Sequence, residues 1–248
     1  MRDVEVLPGA RIRWVELPGT SPARLYLHGL GCSSAPHFTE AATHPLLFGR
    51  RTLLMDLLGF GISDRPTSFG YTLDEHADVL ATALRSIGLS AVEVVAHSMS
   101  GAVAVSLATR HPSLVGRLAL VDSNLDPLTP RPAPGSAGIA TYTESEFVHG
   151  VGWERTLRRA GPRWAATMRL AGREALYRTA LDLVKTTARA QLLRLTLPRM
   201  YLHPTGFAPA DVAGLEAAGV RVVEVPDCGH NIMIDNVDGF ASALVTAW

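Results

Sequence analysis

Cysteine is scarce in this chain. Cys32 and Cys228 are the only two among 248 residues, too few to staple a fold that a chain of this length can hold with its own core. A disulfide scaffold is excluded, the two cysteines read as small packing residues, and a reducing, cytoplasmic setting is expected. Long apolar runs are missing too: no stretch approaches the ~18 residues of a membrane span. The first residues, MRDVEVLPGARIRW, carry charges and turn formers where a signal peptide needs an apolar segment. Excess charge of either sign is also absent. The 23 basic and 23 acidic residues balance to zero, so no global field draws the chain to nucleic acid or to an anionic membrane. Lysine is almost absent, Lys185 being the only one, which reads as compositional bias. No metal-ligand cluster, phosphate-binding glycine loop or dinucleotide fingerprint occurs. No cofactor or metal is therefore expected, and the expected partner is a small molecule; the oligomeric state stays open.

What is present is an alternation of strand and helix patterns. Val4 to Leu7 and Ile12 to Glu16, split by Pro8-Gly9, read as a hairpin that forms an antiparallel edge. After it come compact apolar runs within Ala23 to Gly31, Arg51 to Gly61, Val92 to Ser98, Arg117 to Asp122, Arg199 to His203 and Arg221 to Val225. Continuous apolar runs of this length suit strands covered on both faces, as in a parallel sheet. Between them, TLDEHADVLATALRSIGL predicts a helix: Thr72 with Glu75 makes a capping box, Leu73, Ala77, Leu80, Leu84 and Ile87 share a face, and Gly88 closes it. The class is α/β with a mostly parallel sheet.

Residues 126–195 break the alternation, with a turn-rich opening, DPLTPRPAPGSAG, and helical patterns but no strand. They read as an inserted helical cap on a core formed by 1–125 and 196–248. Thr143 with Glu146 offers a second capping box and Gly161-Pro162 a break and restart. The insert is rich in arginine, including Arg155, Arg163, Arg173 and Arg178, which reads as a solvated outer face rather than an anion site.

The stretch VEVVAHSMSGAVA sends a buried strand straight into a helix of small residues, with His97 and Ser98 at the junction. A sharp strand-to-helix turn strains its central residue and tolerates only small neighbours, which Ala96, Ser100 and Gly101 supply. The hydroxyl would stand clear of the sheet at a helix N-terminus, where developing negative charge is favoured; the plainer alternative is an N-cap serine. His28-Gly29-Leu30-Gly31 ends an earlier strand in a turn whose N–H groups can face an oxyanion. His230, after Gly229 and just past the last strand, is placed to act as a base. All three lie at strand C-termini, where open α/β sheets build their sites.

Together these stretches resemble the α/β-hydrolase superfamily over nearly the whole chain apart from the insert. HGLG resembles its oxyanion loop, DLLGFGISDRP its D-x-x-G-x-G-x-S stretch, CGHNIM its histidine loop, and AHSMSG its nucleophile elbow with Ala96 and Ser100 in place of two glycines. The resemblance implies an α/β-hydrolase fold, Ser98 as nucleophile, His230 as base, and Leu30 and Met99 N–H groups as the oxyanion hole. A serine at the elbow argues against the haloalkane dehalogenase and epoxide hydrolase branches, which the resemblance associates with aspartate. The commonest family pattern puts the acid just after the strand matching RMYLH, but alignment places Phe207 there, with Asp211 four residues on. Some members carry it one strand earlier, where LALVDSNLDP offers Asp122 at the strand end and Asp126 in the turn. Asp122 is the expected acid, because a strand terminus is held by the sheet.

The expected activity is that of a serine esterase, a carboxylic-ester hydrolase acting on a small, fairly apolar ester through an acyl-enzyme. His97, Phe147, Trp153, Trp164 and Tyr177 are the expected pocket residues. Cleavage of a thioester, a lactone or an activated C–C bond is open to the same site, and so is a ligand receptor or low-turnover pseudo-hydrolase.

Overall fold

The computed structural model describes residues 1–246. An eight-stranded sheet runs in the order β1-β2-β4-β3-β5-β6-β7-β8. Its strands are β1 (Arg2–Leu7), β2 (Ala10–Leu17), β3 (Thr20–Leu27), β4 (Arg50–Asp56), β5 (Val92–His97), β6 (Val115–Val121), β7 (Arg199–Pro204) and β8 (Val220–Val225). β2 pairs antiparallel with both β1 and β4, and every other neighbour is parallel. The hairpin and the six later strands thus lie where the sequence pattern puts them. α1 (Ser34–Thr43), α2 (Leu73–Ser86) and α3 (Met99–Arg110) connect the first parallel strands.

Burial on both faces explains the apolar runs. In β5, Val94 and Ala96 join one core with Leu80 and Leu84 of α2 and Val103 of α3, while Val95 joins a second core with Phe38 of α1. Period-two alternation sends successive side chains to opposite faces, and both are covered. α2 begins at the expected capping box, with Thr72 and Glu75 each bonding the other's backbone N–H, and Gly88 follows at φ 69°.

Between β6 and β7 the chain forms helices alone: α4 (Ser136–Ile139), α5 (Glu144–Val148), α6 (Gly152–Arg159), α7 (Pro162–Met168), α8 (Arg173–Leu183) and α9 (Ala188–Leu192). α10 (Val212–Ala217) precedes β8, and α11 (Ile232–Asp235) and α12 (Val237–Thr246) follow it. The apolar faces of the insert merge into the α2/α3 core, since Ile139, Phe147, Met168 and Leu176 belong to that cluster. None of the described helices is long and apolar enough to cross a membrane.

Parallel strands bring the loops after β3, β5, β6 and β8 to one edge. After β3 the chain turns to β4 on one side, and β5 lies on the other, so the loops after β3 and β5 part company and leave a crevice.

Buried histidines make this fold sensitive to acid. His76 is 1% exposed, its ring set among Phe60, Phe69 and Tyr71. Its Nε2–H donates to Thr179 Oγ1 of α8 at 3.2 Å, because that hydroxyl already donates to the Tyr71 carbonyl. Burial pushes His76 down to about 3 and His37 down to about 4. An unfolded chain protonates both near ~6.5. Below that pH the unfolded state binds more protons than the folded one, so stability falls as pH drops from about 6.5 toward the folded values. Each such histidine contributes a slope of up to about 1.4 kcal/mol per pH unit. Urea denaturation at pH 7, 6 and 5 should show this loss, and His76→Gln should flatten the slope; an equal slope in the variant would mean that His76 titrates normally in the fold.

Candidate active site

Ser98 occupies the turn from β5 to α3 at φ 53°, ψ −119°, a region closed to most L-residues. The surroundings hold it there. Its N–H donates to the Val121 carbonyl of β6 at 2.9 Å, and its carbonyl accepts from Gly101 N at 3.0 Å. Ser100 Oγ donates to the His28 carbonyl. A Cβ on Gly101 would lie 2.3 Å from Ser123 Cβ, so this approach of α3 to the end of β6 admits glycine alone. The Ser98 side chain makes no capping hydrogen bond to α3, which removes the N-cap reading and leaves the hydroxyl to the crevice.

The turn after β3 is pinned by its carbonyls. The Gly29 carbonyl accepts from His28 Nδ1–H at 2.8 Å and from Cys32 N at 3.0 Å. His28 Nε2 accepts from Leu57 N, which fixes this neutral tautomer, and burial holds its pKa down. In a trans peptide the next N–H points opposite the carbonyl, so Leu30 N–H is directed away from those partners. The Leu30 carbonyl accepts from Trp164 Nε1 at 2.7 Å, which ties α7 to the turn. Met99 opens α3, so its N–H has no carbonyl one turn earlier to receive it.

His230 stands on the loop after β8 and donates through Nδ1–H to Asp122 Oδ2 at 2.6 Å, leaving the Nε2 lone pair free. Asp122 lies one residue past β6 at φ 40°. Its N–H donates to the Leu202 carbonyl of β7 at 2.8 Å, and Tyr201 Oη donates to the Ser123 carbonyl at 2.7 Å, so a strained backbone is locked by the neighbouring strand. The other two candidate acids are engaged elsewhere. Asp126 takes two 2.7 Å bonds from Arg189, and Asp211 caps α10 by accepting from Gly214 N. Phe207 is 70% exposed.

A cavity of about 600 Å³ opens on Ser98, His230, Leu30 and His97. No hydrogen bond joins Ser98 Oγ to His230 among the described residues, although both border this space. His97 lies 1% exposed beneath the His230 ring, centroids 4.6 Å apart, and its Nε2–H donates to the His230 carbonyl at 2.9 Å. Burial holds His97 well below the usual histidine pKa, hence neutral.

Of the expected pocket aromatics, Trp164 lines the cavity, but Phe147, Trp153 and Tyr177 do not. They pack on one another inside the insert, with Phe147 edge-on to Trp153 and tilted against Tyr177, and Tyr177 Oη donating to the Tyr142 carbonyl. Covering the helices' own apolar faces takes these rings away from the crevice. The remaining wall comes from the turn-rich stretch opening the insert, including Pro127, Leu128 and Pro134, with Asn124 and Asn231 at the site. Sequence reading missed these residues, and the dense proline in DPLTPRPAPGSAG was the only signal that could have pointed to them.

The sheet order and its flanking helices are those of the α/β-hydrolase fold. A family model for the alpha/beta hydrolase fold matches residues 25–143, a little under half of the chain. It is 35% identical over 99 residues to the 2-hydroxymuconate semialdehyde hydrolase of Pseudomonas putida, across 40% of this chain and 35% of the relative. Such matches span about a third of the length of the curated relatives. Over 98% of this chain, the fold superposes on an esterase from Exiguobacterium antarcticum with TM-score 0.79 at 20% identity, covering 97% of that chain. An enol-lactonase from Burkholderia xenovorans LB400 superposes with TM-score 0.78 at 19% identity, over 98% of both chains. At these identities the likeness speaks for the fold.

Phe147→Ala should cost about 3–5 kcal/mol of stability, as truncation of a buried aromatic does, in chemical denaturation. Trp164→Phe keeps an aromatic wall but leaves the Leu30 carbonyl without its donor; it should cost about 1–3 kcal/mol by the same measurement, the range for an acceptor that loses its partner.

Proposed function

We propose that this protein is a serine hydrolase that cleaves a small carboxylic ester through an acyl-enzyme, with Ser98 as nucleophile, His230 as general base and acid, and Asp122 as the triad acid. The observation that carries this reading is the 2.6 Å Asp122–His230 hydrogen bond beside a serine held at positive φ, both bordering one cavity. Asp122 keeps the His230 proton on Nδ1, so Nε2 is the basic nitrogen. Rotation about the Ser98 Cα–Cβ bond brings Oγ to Nε2, which takes its proton as Oγ attacks the carbonyl carbon. Met99 and Leu30 N–H groups receive the oxyanion. Collapse expels the alcohol, protonated by His230. Water then gives a proton to Nε2 and its oxygen to the acyl carbon, and the proton returns to Ser98.

The insert acts as a cap in this reading. Pro127, Leu128, Ala133, Trp164 and Leu183 supply apolar walls, which suits a short aliphatic or aryl group. Lactone or C–C bond hydrolysis on the same triad is the second reading, supported by the names of the enol-lactonase and semialdehyde hydrolase relatives.

A fluorophosphonate should label Ser98, and Ser98→Ala should abolish both labelling and turnover of short aryl esters; labelling at another residue would overturn the assignment. Asp122→Asn should lower kcat by about 10⁴-fold, as loss of the charged triad acid does, with the fold intact by circular dichroism. Asp126→Asn and Asp211→Asn should be much milder. If Asp211→Asn alone were crippling, the acid would lie in the loop after β7.

A further inference from the structure

The cavity wall is electrostatically one-sided. No aspartate or glutamate lines it among the described residues, whereas Arg131 and Arg163 do. The two arginines arrive from different elements. Arg131 stands on the stretch between β6 and α4, where its N–H donates to the Ala137 carbonyl at 3.1 Å and Leu128 N donates to the carbonyl of Val184, the residue just past α8. Arg163 is in the first turn of α7, whose next residue, Trp164, is bonded to the Leu30 carbonyl. That bond holds Arg163 near the oxyanion turn.

Other arginines of this region have structural partners. Arg173 Nη1 donates to the Val148 carbonyl, and its guanidinium lies over the Trp153 ring. Arg178 bonds Glu144 and the Thr67 and Phe69 carbonyls, and Arg189 bonds Asp126. The Arg131 side chain has no carboxylate partner among the described residues. Arg163 has one loose contact, 3.4 Å to Asp235, with 54% of its side chain exposed, an arrangement that contributes little and gives way readily to a better acceptor. Sequence composition placed the insert's arginines on a solvated face; the fold turns Arg163 to the cavity.

We propose that the substrate of this site carries a carboxylate on the part that faces the insert, received by Arg131 and Arg163. This rests on the hydrolase reading above and narrows its substrate to anionic half-esters and their lactone equivalents: an apolar chain along Pro127, Leu128 and Leu183, with a negative end at the guanidinium groups. A guanidinium binds a carboxylate through paired N–H donors and keeps its charge at any working pH.

The test compares mono-p-nitrophenyl adipate with p-nitrophenyl hexanoate, of equal chain length, and measures adipate binding by calorimetry. The intact protein should favour the half-ester in kcat/KM by about 10-fold or more, the range of a charge-assisted hydrogen bond. Arg131→Gln and Arg163→Gln should each shrink that ratio, chiefly through KM, and should weaken adipate binding in parallel. Added salt should also shrink it. A preference for the hexanoate ester, or adipate binding that neither variant changes, overturns the proposal even if both esters are hydrolysed. Arginine-dependent adipate binding without hydrolysis of either ester would instead sink the hydrolase reading and leave the anion site standing.

Discussion

The turn at Ser98 is the constraint on which the remaining architecture depends. A serine at φ 53° is costly in isolation and persists because neighbours on three elements hold it. β6 accepts its N–H, α3 begins directly behind it, and the β3 turn is bound to Ser100. Those ties require close contact among the ends of β3, β5 and β6, which explains the small residues there. Gly101 faces Ser123 with no room for a methyl group, and a Cβ on Gly29 would meet the His97 ring at 3.0 Å. Strain at one residue thus sets the side-chain size at several others.

The same economy of backbone orders the histidine loop. Asp122 is a second residue at positive φ, one position beyond β6, and it is locked by β7. From there it reaches His230 across 108 residues of sequence. The loop bearing His230 is held from below by His97, the residue beside Ser98. The Ser98 turn and the His230 loop are therefore linked through a neutral, buried imidazole, so displacement of one loop is felt by the other.

The helical insert divides its labour by face. Its inner aromatics, Phe147, Trp153 and Tyr177, close a core continuous with that of α2 and α3. Trp164, by contrast, spans the gap to the β3 turn. The cavity wall is left to a proline-rich stretch with little apolar surface to bury, and proline supplies rigidity there without helix or strand. Two arginines at that wall give the cavity a sign that the neutral chain as a whole lacks.

Much of this was legible in the sequence, for local reasons. Apolar runs of strand length announced a sheet covered on both faces; Thr72 with Glu75 and Thr143 with Glu146 announced helix starts, because a capping box is a contact between residues three apart. Ser98, His230 and the HGLG turn stood out because strain and turn chemistry leave small residues in fixed places. Asp122 could be chosen from the sequence, but Asp126 and Asp211 stayed open beside it, since a contact across 108 residues leaves no local pattern; tertiary structure occupied Asp126 with Arg189 and Asp211 with α10. The pocket was least legible. An aromatic on a helix reads alike whether it faces a core or a cavity, and only the packing of the insert sent Phe147, Trp153 and Tyr177 inward while turning Trp164, Arg131 and Arg163 to the site.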